Sequence, residues 1–339
     1  MVEPVDRPPA TAEEHPGGDA LAVDDADADS AVSIPTLSVE SLRSSVLEYQ
    51  KENGRTYHSM SSGKYAYPND EAEIERLEIQ HNLWLLTLRG ALALCPKADT
   101  AKRVLDAGTG SGVWAIDYAD THPEAEVIGV DLSPIQPSTV PPNCTFEVDD
   151  LEKDWTWAKP FDLILSRVMA GSFSDYEDYI KKAYDALEPG GYLELQDIHA
   201  PFSCDDDTMA GTQTEQLGNL FLEASLALGR PLNVAPTYKD IMKKVGFVDI
   251  VEKPLKWPLG IWPKDKHFKE VGYWYYMNLE VGLEGLLMAL LTRGLGWTKE
   301  EVMVFCAKVR PELKNPKIHA YLPIYVVYGR KPGGDSAAE

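Results

Sequence analysis

Basic residues are scarce in this chain: 32 Lys and Arg face 54 Asp and Glu across 339 residues, a formal net charge of −22. A surface of that sign repels polyanions, which argues against non-specific binding to nucleic acid or to anionic membranes. Cysteine is scarce as well. Cys95, Cys144, Cys204 and Cys306 form no C-x-x-C pair and have no histidine at metal-ligand spacing. Their scatter argues against a disulfide framework and against a zinc site, and predicts reduced thiols in an intracellular protein. Long hydrophobic runs are missing too. The most apolar stretch, 283–295, is broken by Glu284, Gly285, Thr292 and Arg293, and no basic-then-apolar leader opens the chain. Neither feature suits a membrane span or a secretory signal. The expected setting is therefore cytoplasmic, with no nucleic acid and no membrane among the partners.

What is present is one organising stretch, Val104-Leu105-Asp106-Ala107-Gly108-Thr109-Gly110-Ser111-Gly112. An apolar strand pattern runs into an acid and then into glycine at every second position. The next residues, Val113 to Ala119, read as a helix opening. A strand that stops at such a turn and restarts as a helix brings backbone N–H groups close to a ligand, because glycine adopts φ > 0 and adds no blocking side chain. A dinucleotide fingerprint, G-x-G-x-x-G, needs a glycine at position 113, where Val113 stands.

Strand and helix signals alternate through the centre. Strands are predicted at Lys102 to Ala107, Glu126 to Asp131, Cys144 to Val148, Phe161 to Ser166 and Tyr192 to Ile198, with helices over Gly112 to Thr121 and Asp175 to Leu187. Short apolar strands alternating with helices argue a parallel sheet covered on both faces, with its ligand at the carboxyl edge. Before this core, Asp70 and Glu73 resemble a capping box for a long helix carrying Ile74, Leu77, His81, Trp84, Leu85 and Leu88 on one face. Ser38 can cap a shorter helix ahead of it. After the core, helices are expected over Thr212 to Gly229, Tyr238 to Val245 and much of Asp265 to Val309. Strands at Phe247 to Trp257 and His319 to Arg330 are expected to pair antiparallel. The first 36 residues, rich in Pro, Ala, Asp and Glu, cannot bury enough surface to order, and 333–339 is read as a second disordered tail. One domain is expected over 37–332: a lid and helix at 37–100, a core at 101–200, and a cap with closing strands at 201–332.

Acids fall where that edge would be. Asp131 ends the second strand, where a carboxylate can accept from both hydroxyls of a ribose. Asp149 and Asp150 end the third, within reach of an adenine amine. Asp106 lies beside the turn, where it can meet an amino-acid portion of the ligand. No Lys or Arg stands in the glycine loop, so a cationic ligand suits it better than a pyrophosphate, which disfavours NAD and ATP.

These residues resemble the first motif of class I S-adenosylmethionine-dependent methyltransferases. The chain from about 38 to 332 is similar to the fungal LaeA-like (UMTA or TAM-domain) methyltransferases. The resemblance rests on 52–58 (ENGRTYH), 67–71 (YPNDE), 76–81 (RLEIQH), 106–112 (DAGTGSG), 171–175 (GSFSD) and 187–194 (LEPGGYLE). It implies an α/β, Rossmann-like class I fold with a seven-stranded sheet, an N-terminal helical lid and a C-terminal helical cap. It also implies S-adenosyl-L-methionine as cofactor, and Asp106, Gly108, Gly110, Gly112, Asp131, Asp149, Asp150 and Arg167 as the residues around it. The implied function is methyl transfer to O or N of a small-molecule intermediate of fungal secondary metabolism. The alternative is a regulator of that metabolism that acts through protein partners, with a nuclear location. A nicotinamide dehydrogenase fails on Val113 and on the lack of a catalytic Lys/Tyr arrangement.

Transfer from a sulfonium is a direct displacement, so alignment is the main demand on the protein. The irregular, tyrosine-rich segment made of 52–58 and 63–71 either pins a loop to the domain or forms a lid, since aromatic faces attract a sulfonium. Tyr57 and His58 are the candidate catalytic residues, closing over the cofactor beside the acceptor; His199 after the fifth strand is a further candidate base. Trp257, Trp262, Tyr273, Trp274, Tyr275 and Tyr276 in the cap hint at an apolar or planar acceptor, although helix packing accounts for most of them.

Overall fold

The computed structural model describes residues 49–60, 63 and 65–333. The acidic tail, the helix expected after Ser38 and the tail at 334–339 lie outside them. The first described element is a hairpin, β1 (Gln50–Glu52) and β2 (Arg55–Tyr57), turning through Asn53 and Gly54 at φ 53° and 89°. Asn-Gly is the dipeptide that tolerates two positive φ values in succession. A hairpin thus occupies part of the segment read from sequence as irregular.

Helix α1 (Glu71–Thr87) begins where the Asp70 carboxylate accepts from the Glu73 N–H, 3.2 Å away. Only this half of the expected capping box forms; the Glu73 carboxylate turns inward to Arg76 instead. The buried face therefore carries Glu73 and Arg76 along with His81, Leu83, Trp84 and Leu88, while Ile74, Leu77 and Leu85 are half-buried.

The core alternates as expected: β3 (Arg103–Ala107), α2 (Val113–Thr121), β4 (Glu126–Asp131), β5 (Cys144–Val148), β6 (Phe161–Arg167), α3 (Tyr176–Ala186) and β7 (Leu187–Ile198). Strand β7 begins five residues before the expected strand start and runs through Pro189-Gly190-Gly191. There follow β8 (Ser203–Cys204), α4 (Gln213–Ala227), α5 (Tyr238–Val245), β9 (Val248–Pro258), α6 (Lys266–Leu295), α7 (Lys299–Leu313) and β10 (Ala320–Arg330).

The sheet runs β5-β4-β3-β6-β7-β10, with β9 on the far side of β10. The first five strands are parallel; β10 is antiparallel to β9, the pairing expected for the two late strands, and also to β7. Two-residue β8 pairs with the start of β10, so the sheet counts eight strands rather than seven. Strand order reverses at β3, which has β4 on one side and β6 on the other, and this opens a crevice at the carboxyl end of β3.

Apolar side chains form a separate core on each face of the sheet, one around Leu105, Ile164 and Tyr179, the other around Val104, Leu163 and Trp114. A third and larger core joins α1, α4, α6 and α7 to β9 and β10. In it Trp84 meets Trp257 edge to face at 5.0 Å, and the Trp257 indole N–H donates to Thr87 Oγ1 at 2.7 Å. Thirty-residue α6 is apolar because it is enclosed by protein: Leu283, Leu287 and Leu291 are fully buried there. No described helix is long and apolar enough to cross a membrane.

Candidate functional site

The glycine turn is held rigid by its own backbone and by one carboxylate. Gly108 and Thr109 donate N–H groups to the Val130 carbonyl, both at 2.9 Å. Gly110 N–H donates to Asp131 Oδ2 at 2.9 Å, and its carbonyl accepts from the Gln136 amide at 2.6 Å. Asp131 Oδ1 accepts from Ser133 N–H at 3.0 Å. The acid that ends β4 thus clamps the turn after β3 and still has lone pairs for a ligand, since a carboxylate offers about four acceptor positions.

Gly108, Gly110 and Gly112 have φ of 78°, 56° and 83°. A Cβ on Gly108 would lie 2.1 Å from Met169 Sδ, and one on Gly112 would lie 2.4 Å from the Phe146 ring. Glycine is required on both counts.

Over this edge lies a cavity of ≈ 1580 Å³, counting the space at its open mouth. Gly108, Gly110, Asp131, Asp149, Asp150 and Arg167 line it. Asp106 and Gly112 do not. The Asp106 carboxylate is buried beneath the turn and accepts from the Thr109 hydroxyl at 2.6 Å, so it props the turn from behind. Burial pushes both the Asp106 and the Asp131 carboxyls up to about 6.

Arg167 is spent on the protein. Its Nε donates to Gln196 at 2.7 Å, Nη2 to the Leu92 carbonyl at 3.1 Å, and Nη1 to His81 Nδ1 at 3.2 Å. Guanidinium has no acceptor, so His81 carries its proton on Nε2 and donates to Asp117 at 2.8 Å. This chain ties α1 to α2 and β6. Burial lowers the Arg167 pKa to about 10, against the pull of Asp106.

Neither Tyr57 nor His58 reaches the cavity wall, which corrects their expected place beside the acceptor. Tyr57 is buried beneath the Arg293 guanidinium, 4.7 Å from its ring, and burial pushes its phenol up to about 12. The His58 ring is enclosed and donates from Nδ1 to the Met60 carbonyl, and burial lowers its pKa, so it is neutral at pH 7. What these two residues hold is the strap that follows them. His58 packs against Tyr65 at 5.9 Å, Tyr65 meets Tyr67 edge-on at 5.2 Å, and Arg293 donates to the Tyr65 carbonyl at 3.1 Å. Tyr65 and Tyr67 are the tyrosines of this segment that line the cavity. His199 is off the wall as well; its ring meets Tyr325 at 5.9 Å.

Sequence reasoning missed a buried polar cluster in the cavity wall. Arg76 makes two bonds to the Glu73 carboxylate, at 3.0 and 2.7 Å, and donates to Asn278 Oδ1 at 3.0 Å. All three line the cavity. The signal available was a pair of charges on a helix face that buries against α6, which periodicity scores as surface. Beyond this cluster the cavity turns apolar, with Phe202, Phe221, Trp257, Tyr275, Leu279 and Leu322 on its wall. Of the six cap aromatics named from sequence, Trp257 and Tyr275 face it; Trp262, Tyr273, Trp274 and Tyr276 do not.

An open α/β sheet with an acid-lined glycine turn at its switch point and no cation in the turn defines a class I methyltransferase fold. The chain belongs to the fungal LaeA-like family of methyltransferases. A family profile described as "Methyltransferase domain" matches residues 79–252. Methyltransferase pytC of Aspergillus terreus is 40% identical over 297 residues, covering 87% of this chain and 92% of that one. Secondary metabolism regulator LAE1 of Cochliobolus heterostrophus is 38% identical, over 83% of this chain and 94% of its own length. Protein-methionine methyltransferase laeA of Emericella nidulans is 33% identical, over 84% and 77% respectively.

The family's methyl donor is S-adenosylmethionine. The residues fit it: a turn that a Cβ would fill, an acid at the end of β4 with spare acceptor capacity, and two more acids after β5. The chain is an S-adenosylmethionine-dependent methyltransferase, and its methyl acceptor is a small molecule or a protein.

Proposed function

We propose that the chain methylates an oxygen or nitrogen of a small, largely apolar molecule in fungal secondary metabolism. The observation that carries this is the continuity of the cavity: the acid-lined edge at Gly108 and Asp131 and the apolar wall at Phe202, Trp257 and Leu322 belong to one chamber. Asp131 would hold the ribose hydroxyls of the donor, and Asp149 and Asp150 the adenine end. Tyr65 and Tyr67, on the strap that His58 and Arg293 secure, offer ring faces to a sulfonium.

When bound, S-adenosylmethionine supplies an electrophilic methyl carbon, whose bond to sulfur breaks as the bond to the acceptor oxygen or nitrogen forms. The chain's own share is alignment and exclusion of water. Burial keeps the Tyr65 and Tyr67 phenols protonated, so neither is a base at neutral pH. The acceptor proton therefore passes to water at the cavity mouth or to a carboxylate of the edge.

A second reading has support of its own, because relatives at 33–38% identity carry regulator or protein-methyltransferase names. Under it the acceptor is a protein, and the protein works in the nucleus rather than the cytoplasm. Metabolite profiling of a deletion strain separates the two. Accumulation of one product short of a methyl supports the pathway enzyme; silencing of many unrelated products supports the regulator.

A further inference from the structure

Helix α6 places Tyr275 and Asn278 one turn apart on the cavity wall, where the apolar chamber meets the polar cluster. Residues three apart on a helix share a face. Both side chains are buried, at 3% exposure.

The orientation of Asn278 is fixed by chemistry rather than by choice of atom labels. Arg76 Nη1 lies 3.0 Å from the Asn278 side chain, and guanidinium only donates, so the carbonyl oxygen must face it. Arg76 is itself immobilised by its two bonds to Glu73. The Asn278 NH2 group is thereby turned away from Arg76, and among the described residues it has no hydrogen-bond partner. The Tyr275 hydroxyl has none either; its ring is held by Trp257 at 5.4 Å and Phe202 at 6.5 Å. Neither group is sealed into the packing in the manner of Trp84 Nε1, so both open onto the cavity. A native wall that buries polar groups without partners is expected to have a ligand that satisfies them.

The charge of this part of the wall is also settled. Glu73 and Arg76 neutralise each other, and Phe202, Phe221, Trp257, Leu279 and Leu322 carry none. A charged acceptor would lose its hydration here and find no counter-ion.

We propose that Tyr275 and Asn278 form the acceptor-recognition site, and that they select an uncharged, largely apolar molecule by donating hydrogen bonds to its carbonyl oxygen. Arg76 and Glu73 are positioning residues for Asn278. This rests on the reading of the chain as a small-molecule methyltransferase, and adds to it the chemical class of the acceptor.

The test uses the full-length protein saturated with S-adenosylhomocysteine and three probes of one shape: 1-acetonaphthone, 1-ethylnaphthalene and 1-naphthoate. Binding is followed by calorimetry and by Trp fluorescence. The ketone is expected to bind about 10-fold tighter than the hydrocarbon, as one net hydrogen bond into a buried site allows, and the carboxylate more weakly than either. Tyr275→Phe keeps the ring contacts and removes the hydroxyl. Asn278→Asp keeps the oxygen facing Arg76 and replaces the donor with an acceptor. Each is expected to abolish most of the ketone's advantage while leaving the hydrocarbon and S-adenosylhomocysteine affinities within about twofold, which also shows that the variants fold.

Equal binding of ketone and hydrocarbon would overturn the proposal, as would preference for the carboxylate, failure of all three probes to bind, or variants that keep the full ketone advantage. If the wild type failed to bind S-adenosylhomocysteine at all, the methyltransferase reading itself would fall, and that outcome is distinct from each of the others.

Discussion

Replacing Asp131 with Asn tests how the donor is held, and its effect can be worked out from the structure. The carboxylate accepts from Gly110 and Ser133 through different oxygens, at 2.9 and 3.0 Å. Asparagine keeps one of those acceptors and turns an NH2 toward the other backbone N–H, so the turn loses its clamp. A ribose bonded to a charged partner is worth about 1.5–3 kcal/mol more than one left unpaired, which is about 10- to 150-fold in affinity. Protonation of the native carboxyl should mimic part of the substitution. With its pKa pushed up to about 6 by burial, the ionised fraction falls about 10-fold between pH 7.5 and pH 5, so affinity falls by about that factor. The assay is calorimetric titration with S-adenosylhomocysteine of wild type and Asp131→Asn at pH 7.5, 6 and 5. Wild type should weaken through pH 6; the variant should start weak and change less. A flat wild-type profile, or a variant that binds as wild type at pH 7.5, would refute the role assigned to Asp131.

Three other outcomes are expected. Arg76→Met strands the Glu73 carboxylate in the cavity wall and should cost about 3–5 kcal/mol in urea unfolding, whereas the double variant Glu73→Gln/Arg76→Met should recover much of that loss. Gly112→Ala meets both a φ of 83° and the Phe146 ring, and should lower stability by about 1–3 kcal/mol, read as a depressed melting temperature. Asp197, off the cavity wall, accepts from Ala170 and Ile198 N–H and from the Tyr238 hydroxyl, and burial pushes its carboxyl up to about 6. The folded state therefore holds this proton more tightly than the unfolded one, so the residue's contribution to stability declines as pH rises from about 4 to 6 and is level above that. Asp197→Asn lacks this decline, and its urea midpoint relative to wild type should rise between pH 5 and 7.5.

Much of the fold was legible because the signals were local. Strands β4 and β5 fall on the residues their apolar runs mark, and α5 on its 3.6-residue period. Asp131 was legible for the same reason: an acid ending a strand beside a glycine turn needs no distant partner to be recognised. Its capping of Gly110 was not, since that bond spans 21 residues. The site's other half depends on tertiary contacts that no window contains. Arg76 meets Asn278 across 202 residues, and Arg293 reaches Glu52 across 241. Tyr57 and His58 drew attention as a chemically capable pair, yet a protein uses such groups equally well to anchor a strap. Only the packing shows that Tyr65 and Tyr67 face inward. The Asn53-Gly54 dipeptide carries the hairpin signal, but strands of three residues each are too short to show an alternating pattern.

The activity proposed for the chain is methyl transfer to a small apolar acceptor. Methyl-tritiated S-adenosylmethionine, incubated with the full-length protein and an extract of a strain lacking it, tests that claim in one step. Label is expected in one neutral, organic-soluble product, and is expected to be absent when Asp131→Asn is used. Label confined to protein, or left entirely in the donor, would contradict it.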